Sequence, residues 1–237
     1  MRPAPSTLAL RNASGLAAPA PASPLALVTD GRIVPLRAPD ARTADGYLRL
    51  AAHLLLEGER RGFRTVGVVS ALRGEGRSTA ALNLAACLGR TRGREGRVLL
   101  VDGDARSRTL TRLLGGEHGA TAQTPFLAAT GFEGVDFLSA PGTEDRFRLH
   151  APAAWARVLS EVSARYPHVV VDCPAILDDP EGVVLRECVD VLVVVVEVGR
   201  TTRRAVEAAA GGVARRVVGV ILNGDDGRAV AAHRGAR

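Results

Sequence analysis

The sequence predicts an α/β fold, a doubly wound, mainly parallel sheet flanked by helices. Three observations predict it. Strand-like and helix-like segments alternate from Thr65 to Asn223. The strand-like segments are near-continuous Val/Leu runs, as expected where helices cover both sheet faces, and do not alternate apolar with polar. The polar residues that end these runs (Ser70, Asp102, Asp172 and Asn223) form a set, and parallel sheets bind ligands at the carboxyl ends of their strands.

Residues 1–42 are rich in Ala, Pro and Ser without a lasting period, which predicts a flexible tail with a short extended piece at Arg32–Leu36. From residue 43 the spacing turns helical, with Tyr47, Leu50, Ala51, Leu54 and Leu55 on one face. TVGVVS, Thr65–Ser70, is a strand, and a glycine-rich loop follows it into a helix from about Arg77 to Leu88. RVLLVD, Arg97–Asp102, is the next strand, and RTLTRLLGG a short helix closed by glycines. GVDFLSA, Gly134–Ala140, is a strand, and Trp155, Val158, Leu159 and Val162 mark the helix after it. HVVVD (His168–Asp172), VDVLVVVVE (Val189–Glu197) and RVVGVILN (Arg216–Asn223) complete the strands, with helical stretches between them. The reading divides the chain into a tail (1–42), a nucleotide-binding domain (43–226) and a short basic tail (227–237).

A hydrophobic content of 46% supports a real core, and with aromatics at 3% that core is built from Val, Leu and Ala. The formal charge of +6 admits an anionic partner, although arginine decorating the surface accounts for it as well. The sequence contains no lysine, so all 31 Lys+Arg residues are arginine. Cys87, Cys173 and Cys188 lie in apolar surroundings without paired spacing and read as small core residues in a reducing compartment. No apolar run reaches the roughly 18 residues of a membrane span, and the start lacks a compact signal core. The expected location is the cytoplasm.

The stretch SALRGEGRSTAALNLA, Ser70–Ala85, nearly matches a phosphate-binding loop: Ala71, Gly76 and Ser78 fit the pattern, and Arg77 stands where lysine is expected. Consecutive amides in the loop and a helix N-terminus attract phosphate oxygens without side-chain help. The hydroxyl of Ser78 suits a magnesium ion. Asp102 and Asp104 can converge on hydrated magnesium or on a water or hydroxyl near the terminal phosphate, and Asp172 suits a magnesium contact. Each of these also has a plain reading as a turn or a cap: a glycine-rich turn, a cap at Asp104, a turn before Pro174, and the turn sequence NGDDG after the last strand. Their order along one chain favours a nucleotide site.

The stretch from about Asp45 to Asn223 resembles the P-loop NTPases of the ParA/MinD group. Within them it most resembles the CpsD/CapB-type bacterial tyrosine kinases of capsule and exopolysaccharide synthesis. The residues that carry the likeness are DGYLRLA, SALRGEGRST with NLA, LLVDGDAR, YPHVVVDCPAIL and VVGVILN. The resemblance implies ATP or ADP with Mg2+ as cofactors. It implies that Gly74, Glu75, Gly76, Arg77, Ser78 and Thr79 hold the phosphates and that Asn223 approaches the base. Arg77, Asp102 and Asp104 would serve phosphotransfer, and Ser78, Asp102 and Asp172 would hold the metal. The implied partner is the cytoplasmic part of a membrane chain-length (co-polymerase) protein, which would make the chain peripheral to the inner membrane, and nucleic acid is not an expected partner.

The sequence also departs from the family. Arg77 replaces lysine, Ala175 replaces the second proline of its block, and the chain holds two tyrosines, Tyr47 and Tyr166, with no C-terminal cluster. Asp45 and Leu48 replace the glutamate and arginine of the helix that the family uses for self-association, which weakens that contact. A forked guanidinium does not substitute for a lysine point charge. One misaligned transition-state contact costs about 3–4 kcal/mol, or about 10²–10³ in rate. Three functions stay open on the sequence: an ATP-dependent tyrosine kinase or ATPase with weakened phosphotransfer, a nucleotide-binding regulator without catalysis, and a ParA/MinD-like positioning ATPase. Leu72 counts against the third, because it stands where such dimers carry a further lysine.

Overall fold

The computed structural model describes residues 42–92, 96–114, 125–139 and 152–224. The Ala/Pro-rich start, with the extended piece expected at Arg32–Leu36, and the basic end lie outside these residues, as do the glycines expected to close the short helix after Asp104.

The elements run α1 (Arg42–Arg61), β1 (Thr65–Ser70), α2 (Arg77–Arg92), β2 (Val98–Asp102), β3 (Leu127–Ala129) and β4 (Val135–Leu138), then α3 (Pro152–Ser163), β5 (His168–Asp172), α4 (Pro180–Cys188), β6 (Val191–Glu197), α5 (Arg203–Ala210) and β7 (Val217–Asn223). A short helical segment, 109–114, follows β2. The sheet order is β3-β4-β2-β5-β1-β6-β7. Every pairing is parallel except β3 with β4. The antiparallel edge strand β3 is the one strand the sequence reading lacked. Its three residues, Leu-Ala-Ala, are too short to show a period, and pairing with β4 is what makes them a strand.

Alternate residues of the central strands enter two separate cores, because successive side chains point to opposite sheet faces. Val66, Val68, Val98, Leu100, Val170 and Val193 pack with α1 and α2. Val69, Leu99, Val101, Val169, Val171 and Val194 pack with Trp155, Leu159 and Val162 of α3 and with Leu185 of α4. The continuous apolar runs therefore feed both faces. α2 is buried nearly all round, lying between the sheet and α1, so it is apolar and small-residue-rich without a polar stripe. β7 is the exception among the apolar runs: as an edge strand it leaves Val220 and Leu222 exposed.

Asp102 and Asp172 are direct register partners at the ends of β2 and β5. Ser70 ends the neighbouring β1, and the loop after it leads into α2. The parallel sheet thus carries the predicted residues to one edge. Among the described residues no helix is long and apolar enough to cross a membrane.

Candidate functional site

The chain leaves β1 at Ser70 and turns through residues 71–76 into α2. Gly74 and Gly76 hold φ of 81° and 84°, a left-handed conformation that a side chain would strain. A Cβ on Gly76 would also stand 2.2 Å from Asn223 Nδ2. The first bond of α2 runs from the Ala80 amide to Gly76 O at 2.9 Å. The amides of Arg77, Ser78 and Thr79 therefore have no partner within the helix. Above them lies an open cleft of about 460 Å³, lined by Gly74, Gly76, Arg77, Ser78 and Thr79, with Ser107 and Thr109 from the segment after β2. A glycine turn, free amides and a helix N-terminus make this an anion cradle.

Arg77 lines that cleft, but its side chain is buried, at 7% exposure, and its guanidinium is engaged at the strand ends. Nε donates to Asp172 Oδ1 at 2.9 Å, Nη2 to Asp104 Oδ2 at 3.0 Å and Nη1 to Ser70 Oγ at 3.3 Å. Burial pulls the guanidinium pKa down, but Asp172 and then Asp104 more than offset it, so the group is held charged.

The three acids meet at the strand ends but face different partners. Asp102 is fully buried, and its Oδ2 accepts from both the amide and the hydroxyl of Thr111 at 2.7 Å while Oδ1 accepts from the Asp104 amide at 3.2 Å. Burial, then the charge of Asp172, pushes its pKa up to about 7, against the hydrogen bonds from Thr111. Asp104 accepts from the Ser107 amide at 2.7 Å and from the Ser107 hydroxyl, besides Arg77. The Asp172 pKa is also raised by burial, with Arg77 and the Ser78 hydroxyl opposing the shift. Asp172 Oδ2 is buried and has no hydrogen-bond partner among the described residues.

This arrangement bears on the expected metal set. Asp102 is committed to Thr111, and Asp104 to Arg77 and Ser107. Ser78, half-buried in the cleft, and the free oxygen of Asp172 remain as oxygen ligands. Among the described residues no group of three or more His, Cys, Asp or Glu side chains is disposed to hold a metal ion. The triad of Ser78, Asp102 and Asp172 is thus incomplete as arranged, because the Asp102 carboxylate serves the following helical segment.

The carboxylate of Glu75, one of the expected cofactor contacts, is buried and turned to protein partners. Oε2 accepts from the Leu72 amide at 2.8 Å, and Oε1 accepts from the Thr201 hydroxyl. A carboxylate facing phosphate would be repelled, and here it braces the loop. Asn223, exposed at the end of β7, donates from Nδ2 to Glu75 O at 3.0 Å, which places it beside the loop.

Ser107, Thr111, Thr201 and Arg200 were not foreseen. Ser107 lies three residues after Asp104, the spacing of a capping aspartate, and that signal was readable. Thr201 and Arg200, which donates to Arg73 O at 2.7 Å, reach the loop from the turn after the adjacent strand β6, and no local pattern announces them.

No protein-family profile matches the chain. It is 24% identical over 205 residues to the tyrosine-protein kinase YwqD of Bacillus subtilis (strain 168), covering 81% of this chain and 85% of that protein. The kinase domain of the Escherichia coli tyrosine kinase ETK superposes with a TM-score of 0.66 at 18% identity, over 78% of this chain and 77% of that one. The septum site-determining protein MinD of Pyrococcus horikoshii OT3, solved with Mg-ADP, superposes with a TM-score of 0.56 at 20% identity, over 67% and 69%. The fold is that of the MinD/ParA-like P-loop ATPases and the bacterial tyrosine kinase domains, and the sequence is similar to a member of the latter.

Proposed function

We propose that this chain binds ATP or ADP at the loop Gly74–Thr79 and acts, like the tyrosine kinases it resembles, in the regulation of capsular or exopolysaccharide synthesis and export, with weakened phosphotransfer. The loop geometry supports nucleotide binding: positive-φ glycines, three amides free of helical partners and an open cleft. The MinD structure, with Mg-ADP on the same fold, supports it too.

One observation carries the weakened chemistry. The Arg77 guanidinium lies between Asp172 and Asp104 at 2.9 and 3.0 Å. Its charge does not reach for the outer phosphates, where a P-loop lysine stabilises charge in flight. Asp104, held by Arg77 and Ser107, is poorly placed to take a proton. When bound, magnesium would neutralise phosphate charge, and Ser78 and Asp172 are the residues that would hold it.

A second reading, a nucleotide-dependent regulator without kinase activity, is favoured by the tyrosines. Tyr166 is buried and donates to Asp136 Oδ2 at 3.0 Å, and Tyr47 is half-buried against the core. Neither is an exposed acceptor for self-phosphorylation. In this reading the chain works in the cytoplasm, docked on the cytoplasmic part of a membrane chain-length protein.

Labelled ATP with magnesium and a tyrosine-containing polymer separates the two. The kinase reading predicts slow turnover, raised about a hundredfold or more in Arg77→Lys. Turnover no higher than that of a protein-free control leaves the regulator.

A further inference from the structure

We infer that Arg77 is the resident cation of this site, so that the chain binds nucleotide without requiring a divalent metal. The inference deepens the nucleotide reading above and rests on it.

The guanidinium fork is used on every nitrogen, and its acceptors come from three different strand ends: Asp172 at the end of β5, Asp104 just after β2 and Ser70 at the end of β1. It is therefore a fixed charge held by the fold. A lysine, with one compact ammonium on a flexible stem, could leave the acids and follow the phosphates, whereas a planar fork with matched acceptors is pre-organised where it lies.

A magnesium ion has little to take hold of beside it. Magnesium prefers oxygen ligands in near-octahedral order and usually keeps several waters. The oxygens of Asp102 serve Thr111 and the Asp104 amide, and those of Asp104 serve Arg77 and Ser107. The buried Oδ2 of Asp172 is the acid oxygen left over. An ion drawn to it would stand next to a guanidinium that already neutralises the same carboxylate. Phosphate charge is then met by the loop amides and the N-terminus of α2.

Calorimetry with ADP, in EDTA and in millimolar magnesium, tests this on the full chain and on Arg77→Lys. The wild-type affinity should change less than about threefold, while Arg77→Lys binds about tenfold or more tighter with magnesium. A tenfold gain for the wild type, or a variant no more responsive than the wild type, overturns the inference. If neither protein binds ADP in either buffer, the nucleotide reading fails, and thermal unfolding without nucleotide decides the cation question. Magnesium should leave the wild-type Tm unchanged and raise that of Arg77→Met by a few degrees, because the acids are then free for metal. An equal shift in both, or none in the variant, overturns the resident cation. If Arg77→Met does not fold, Arg77→Lys provides the same comparison.

Discussion

Arg77 turns its charge inward, and this sets what single substitutions should do. Removing it leaves two buried carboxylates uncompensated, so Arg77→Met should lose about 3–5 kcal/mol of stability in denaturant titration. Two other groups, half-buried His168 and buried Asp102, give the fold opposing pH responses. His168 is held neutral, its pKa lowered to about 4 by burial and by Arg92 and Arg64. The unfolded chain binds the proton more tightly, so this contribution is complete above pH 6.5 and is lost as pH falls towards about 4. Asp102 runs the other way. Its pKa, raised from 3.8 to about 7, makes its contribution complete below 3.8 and lost as pH rises through about 7. Urea titrations from pH 4 to pH 8 should show Asp102→Asn with a flattened decline towards neutral pH, whatever its absolute stability. His168→Leu should flatten the acid side. An unchanged slope in either variant would contradict the assignment.

At the scale of elements, the glycine loop after β1 is tied to the end of β6. Thr201 donates to Glu75, Arg200 to Arg73 O, and Asn223 at the end of β7 to Glu75 O. Thr201→Val removes one donor to a buried carboxylate and should cost about 1.5–3 kcal/mol by denaturant titration. α1 offers a sharper contrast. Leu54 is buried at 2% and Leu56 exposed at 61%. Leu54→Ala should cost about 2–5 kcal/mol and Leu56→Ala less than about 0.5 kcal/mol. The apolar stripe of α1 was readable because one helix face packs on α2. The three residues of β3 were not, because their state depends on pairing with β4. The loop itself was legible from its glycines. The inward turn of Arg77 was not, since it depends on acids 27 and 95 residues away.

For the whole molecule, the alternation of apolar runs with helices was enough to anticipate a parallel sheet with its polar residues on one edge. Which acids are free at that edge depends on what each carboxylate meets from neighbouring elements, and Thr111, Ser107 and Arg77 decide it. The account stands on the claim that this edge is a phosphate cradle made of backbone amides. Titrating ADP into the full chain and into Gly76→Val tests it most directly, with circular dichroism to check that both fold. Saturable binding by the wild type, lost in the variant whose side chain displaces Asn223 from the loop, is the predicted result. No binding at millimolar ADP, or equal binding by both proteins, would contradict it.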